Sequence, residues 1–148
     1  GERLHFVYPV HLNPNIQQPV HELLEGLPGV SLIEPVDYLT LVHLMKNAHL
    51  VLTDSGGIQE EASGLGKPTL VLREVTERPE GVQAGVLKLV GSDPDVIVRE
   101  TRRLLENPAV YDEMSRASGV FGDGRAAGRI VQALLDFAEP SAAGSTGS

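Results

Sequence analysis

Leu50-Val51-Leu52-Thr53-Asp54-Ser55-Gly56-Gly57-Ile58-Gln59-Glu60-Glu61 is the stretch that decides the fold. Together with His49, its first half is nearly continuous in apolar character, as a strand covered on both faces reads. It stops abruptly at Asp54-Ser55-Gly56-Gly57, and a predicted helix starts there and runs through Ile58 and Ala62 to Gly64. A buried strand that feeds a glycine turn and then a helix is the repeating unit of a parallel α/β domain.

In an open sheet of this kind, ligands bind at the carboxyl ends of the strands. Glycines at that place let an anion approach the backbone closely, where free N–H groups and the helix dipole favour a diphosphate. Ser55 can add a hydroxyl donor or cap the helix. Glu61 follows Gly57 by four residues, so one helical turn puts it on the same side as the loop. A carboxylate repels phosphate, but it accepts two hydrogen bonds well from the adjacent hydroxyls of a ribose. A phosphate cradle followed one turn later by a ribose acceptor spells out a nucleotide. The spacing alone is equally compatible with a plain capped turn, in which Glu60 and Glu61 merely complement the helix dipole.

Outward from this stretch the alternation continues. Leu4–Val10, Val30–Ile33, Pro68–Leu72 and Val86–Val90 read as further strands. Helices are expected from about Ile16 to Leu24, and after an Asp37 cap through Leu39, Val42, Leu44 and Met45. The link containing Arg78-Pro79-Glu80 reads as irregular. From Asp93 onward the period is helical, with Val96, Val98, Leu104 and Leu105 on one helix and Val110 and Met114 on a second. Ile130, Val131, Leu134, Leu135 and Phe137 mark a third. The charges of Arg99-Glu100-Thr101-Arg102-Arg103 read as a solvated helix face. Residues 139–148 have the composition of a flexible linker. The expected fold is therefore a three-layer, Rossmann-like α/β domain over residues 1–138, with about five parallel strands and a helical C-terminal end.

The 148 residues fit one domain, and 41% hydrophobic residues suffice for a core. A formal charge of −8 without a Lys/Arg cluster argues against a nucleic-acid partner. Small-molecule ligands are favoured instead. The absence of cysteine removes disulfides and thiolate metal sites, and fits a cytoplasmic location. No His/Asp/Glu cluster has metal-ligand spacing, and neither a metal nor a cofactor is expected. No apolar run approaches the ~20 residues of a membrane span.

Three stretches carry a resemblance: Tyr8-Pro9-Val10-His11-Leu12-Asn13-Pro14-Asn15, Thr53-Asp54-Ser55-Gly56-Gly57-Ile58-Gln59-Glu60-Glu61 and Thr76-Glu77-Arg78-Pro79-Glu80. Met114-Ser115-Arg116-Ala117 and Gly122-Asp123-Gly124 extend it. In wording, order and spacing the chain resembles the non-hydrolysing UDP-N-acetylglucosamine 2-epimerases from about Leu4 to Phe137. The resemblance implies the C-terminal half of a GT-B fold, with UDP or a UDP-N-acetylhexosamine as ligand. By position, Ser55, Gly56 and Gly57 would hold the diphosphate and Glu61 the ribose. Arg78 would reach the phosphate or sugar side of the cleft. Val36 and Leu41 fall where the family builds its uracil pocket; relatives often carry glutamine and phenylalanine there, so base stacking would be weaker. His11 resembles a family histidine near the nucleotide-sugar sites, a second-site contact in some members. Its local alternative is a hydrogen-bonded histidine that shapes the Asn13-Pro14 turn. Arg73 reads as a surface cation.

The family's reaction is thought to run by anti elimination of UDP to a 2-acetamidoglucal, followed by re-addition. The carboxylates assigned to it belong to an N-terminal domain that this sequence does not contain. The resemblance also implies that the first strand and helix of the second domain are absent. Three arrangements are then open: the strands re-pair across the gap, another chain (the parent's N-terminal half or a further copy) fills it, or the sequence is a redesigned fragment. Taken alone, the chain is expected not to turn over. Two other functions stay open, half of a GT-B glycosyltransferase and a non-binding α/β scaffold.

Overall fold

A computed structural model describes residues 4–116 and 119–138. Ala117 and the linker-like stretch 139–148 lie outside the described residues. Two compact units make up the chain, Gly1–Ala48 and His49–Ser148.

The first unit runs β1 (Phe6–Pro9), α1 (Pro14–Leu24), β2 (Val30–Ile33) and α2 (Tyr38–Asn47). β1 and β2 pair in parallel, with Phe6 opposite Val30 and Pro9 opposite Ile33. Asn13 caps α1 by accepting from the Asn15 amide, and Pro14 follows at the first helical position, where a missing N–H removes no hydrogen bond. The turn into β2 needs glycine at position 29. Its φ is +81°, and a Cβ there would lie 2.8 Å from the Leu4 carbonyl oxygen.

The second unit runs β3 (Val51–Thr53), α3 (Gly56–Gly64), β4 (Thr69–Val71), α4 (Pro79–Gln83), β5 (Leu87–Leu89), α5 (Pro94–Glu106), α6 (Pro108–Ser115) and α7 (Ala126–Ala138). Its sheet has the order β3-β4-β5, all parallel. The central strand β4 is buried throughout and serves two cores, because successive side chains of a strand leave opposite faces. Leu70 packs with Val90, Leu104 and Met114. Val71 packs with Val86 and Leu87 on the other side, where Phe121 also closes in. A fully buried leucine such as Leu70 contributes about 1.5–3 kcal/mol by removal from water.

The expected class is met: the chain is α/β, and every strand pairing is parallel. The ladders form a pair, β1-β2, in the first unit and a triplet, β3-β4-β5, in the second. The link at Arg78-Pro79-Glu80, expected to be irregular, contains the short helix α4. No described helix is long and apolar enough to cross a membrane.

Candidate functional site

β3 delivers the chain to the turn with its last residue pinned twice. The Thr53 carbonyl accepts from the Leu72 amide of the β4 end at 2.9 Å. Its hydroxyl accepts from the Ser55 amide at 3.0 Å. Ser55 is the N-cap of α3, but its hydroxyl takes the Ile58 amide only at 3.5 Å, a long contact. The Gly56 and Gly57 amides open the helix, where N–H groups have no intrahelical partner, and they bond to no other described residue. A set of outward-facing donors at the positive end of a helix results.

Neither glycine is required by the turn. Gly56 and Gly57 both have negative φ, and a Cβ on either would find no atom nearer than 3.9 Å. Internal packing and backbone conformation therefore leave room for alanine, although glycine weakens a helix by roughly 0.5–1 kcal/mol relative to it. What the missing Cβ atoms provide is space above the amides on the solvent side.

Three charged side chains border that space, Glu61, Glu77 and Arg78. Glu61 Oε1 lies 3.9 Å from where a Gly57 Cβ would be, whereas Glu61 Oε2 is covered and has no partner among the described residues. Arg78 Nη2 lies 4.0 Å from the Cβ position of Gly56, and Glu77 Oε2 lies 3.9 Å from it. Arg78 Nε donates to Glu60, Nη1 donates to the Glu77 carbonyl at 3.0 Å, and the Arg78 amide donates to the Thr76 hydroxyl at 3.1 Å. Thr76 in turn donates to Oε1 of the fully buried Gln59 at 2.6 Å. Arg73 pairs at the surface with Glu77 at 3.4 Å.

The remaining sequence candidates belong to the first unit. Val36 and Leu41 are half-buried on either side of the Asp37 cap. Asp37 Oδ1 accepts from the Thr40 amide and Oδ2 from its hydroxyl, both at 2.9 Å. The Thr40 amide, more than the hydroxyl, holds this carboxyl below the usual aspartate range. His11 is exposed, and its Nδ1 accepts from the Asn13 amide at 3.1 Å, which shapes the turn before Pro14.

A UDP-N-acetylglucosamine 2-epimerase family model matches residues 1–135. The chain belongs to this family. The UDP-N-acetylglucosamine 2-epimerase of Salmonella typhimurium is 54% identical over 137 residues, which are 93% of this chain and 36% of that protein. That of Escherichia coli is 55% identical over 131 residues, 88% of this chain and 35% of the relative. The chain thus spans about a third of the length of the curated relatives it matches. Among solved structures, the Neisseria meningitidis UDP-GlcNAc 2-epimerase bound to UDP-GlcNAc superposes with a TM-score of 0.85 at 50% identity, over 89% of this chain and 36% of that one. The S. aureus MnaA structure with UDP does so with a TM-score of 0.86 at 42% identity, over 90% and 37%.

Within this epimerase-family chain, the fold brings Ser55, Gly56, Gly57, Glu61 and Arg78 to one end of α3. Sequence reasoning missed the partners of Arg78. Glu60 reads as a dipole-favouring residue, yet its side chain binds a guanidinium 18 positions away in sequence. No local spacing signals this pairing, because the two residues lie on different elements. Glu100 also departs from expectation. It is not solvated but buried on α5, where it takes an ion pair from Lys88 of β5 and further contacts from Arg99 at 3.3 Å and Arg103 at 3.5 Å. The Lys88 hydrogen bond holds its carboxyl below the usual glutamate range, against the opposing effect of burial.

Proposed function

We propose that this chain is the UDP-binding, C-terminal portion of an enzyme that interconverts UDP-N-acetylglucosamine and UDP-N-acetylmannosamine in the cytoplasm, for surface polysaccharide. Ser55, Gly56 and Gly57 hold the diphosphate, Glu61 the ribose, and Arg78 the outer phosphate or sugar side. Val36 and Leu41 border the uracil, and His11 serves a second nucleotide-sugar contact. One observation carries the reading: two helix-weakening glycines stand where neither φ nor crowding demands them, at the open amide end of α3. Family membership and the UDP-GlcNAc and UDP complexes of relatives support it.

The mechanism assigns this chain the leaving group. If the sugar C1–O bond breaks by elimination, charge develops on the diphosphate, and fixed amide dipoles aimed at that charge stabilise it without reorganisation. Arg78 adds a positive charge on the same side. Removing and returning the C2 proton requires a base, which the reading places in the part of the enzyme beyond this chain. The purified chain should therefore bind UDP weakly at most and yield no UDP-ManNAc from UDP-GlcNAc, as measured by product chromatography. Turnover by the chain alone would overturn that division of labour.

A further inference from the structure

We infer that Glu60, backed by Gln59, is the positioning residue that aims Arg78 at the amide cradle; the inference rests on the nucleotide reading of that cradle. Gly56 and Glu60 lie one helical turn apart, so they share a face of α3. A guanidinium gripped from Glu60 is thereby carried to Gly56. A guanidinium has five N–H donors. Nε–H goes to Glu60 and one Nη1–H to the Glu77 carbonyl, whereas Nη2, on the Gly56 side, has no partner among the described residues. The grip engages Nε–H and one Nη1–H and leaves the Nη2 protons, beside Gly56, for a ligand in the cradle.

The backbone of Arg78 is tied to the same helix. Its amide reaches Thr76, and Thr76 reaches the buried Gln59. Both ends of Arg78 are thus referenced to α3, the helix whose first amides make the cradle. Arg78 and Glu60 are 30% and 39% exposed, and ion pairs this open contribute little to stability. Orientation is what the pair provides, and a fork held in place before binding loses less freedom per hydrogen bond formed.

The rival role for Glu60 is that of a competing carboxylate, which would keep Arg78 from an anion and repel the anion itself. The two roles predict opposite signs. Titration of the 148-residue chain with UDP, read by amide chemical shifts, separates them. Glu60→Ala is expected to weaken UDP about tenfold. Glu60→Gln keeps a neutral acceptor for Nε–H and should recover part of the loss. Glu60→Ala combined with Arg78→Ala should bind no worse than Arg78→Ala alone, since only Arg78 transmits the effect. The melting temperature of Glu60→Ala should stay within about 4 °C of the parent. Binding by Glu60→Ala equal to or tighter than the parent, or a loss that persists without Arg78, would overturn the inference while leaving the cradle intact. A parent chain silent at millimolar UDP would overturn the nucleotide reading and the inference with it.

Discussion

Glu61 extends its carboxylate back over Gly57, one turn earlier on α3, with Oε1 3.9 Å from the Cβ position of that glycine. Beside the proposed anion cradle this carboxylate cannot itself serve an anion, so the partner that suits it is a donor pair. A ribose offers one through its 2′ and 3′ hydroxyls. UDP should then bind more tightly than 2′-deoxy-UDP, by about ten- to a hundredfold for one hydrogen bond to a charged acceptor. Glu61→Ala should abolish that difference as well as weaken both ligands, as isothermal titration would record. Equal affinities for the two nucleotides in the parent chain would remove the ribose role.

Gly56→Ala and Gly57→Ala should separate binding from folding. Each methyl finds at least 3.9 Å of clearance inside the protein, and alanine is the better helix residue. Chemical denaturation should therefore show unchanged or raised stability, by up to about 1 kcal/mol. UDP binding should fall sharply in both, because the methyl would fill the space in which the proposed diphosphate meets the amides. Destabilisation with binding retained would reverse this account of the glycines.

Glu100 makes the fold acid-sensitive. Its carboxyl titrates lower in the folded chain than in the unfolded one, chiefly through Lys88. The unfolded chain therefore takes up the proton first, and the stabilisation present above the usual glutamate range is lost as pH falls from that range through the lower one in which the folded carboxyl protonates. Glu100→Gln should lower stability at pH 7 by about 1–3 kcal/mol and flatten the decline toward pH 3. Thermal melts of both proteins across that range would show it.

Gly81 and Gly64 should respond in opposite directions to alanine. A Cβ on Gly81 would fall 2.6 Å from Leu87 Cδ1 and 2.8 Å from Phe121 Cζ, between two members of one core. Overpacking there should cost about 1–3 kcal/mol. Gly64, in α3, has nothing within 4 Å of its Cβ position. Its replacement should leave stability equal or higher in the same denaturation experiment.

What was legible in the sequence is what neighbouring residues encode together. Ser55 and Glu61 fall within seven consecutive positions, so helical geometry alone relates Ser55, Gly57 and Glu61 at the start of α3. Strand β4 was legible because Leu70-Val71-Leu72 follow one another as an apolar run. Helix α4 was not, since five residues opening with proline and including Gly81 offer no helical period to detect. Nor was the pairing of Glu60 with Arg78 or of Glu100 with Lys88, because each joins residues on different elements. A charge on an amphipathic helix looks solvated until its neighbour strand supplies a cation. The division of the strands into a pair and a triplet depends on ladder order, which no local pattern records.

The most direct test of the central claim is a UDP titration of the ¹⁵N-labelled chain, with Glu61→Ala as control. The account predicts shifts concentrated at the Ser55, Gly56 and Gly57 amides, saturating with UDP and lost or strongly weakened in the variant. No shifts at millimolar UDP, or shifts that leave these amides untouched, would contradict it.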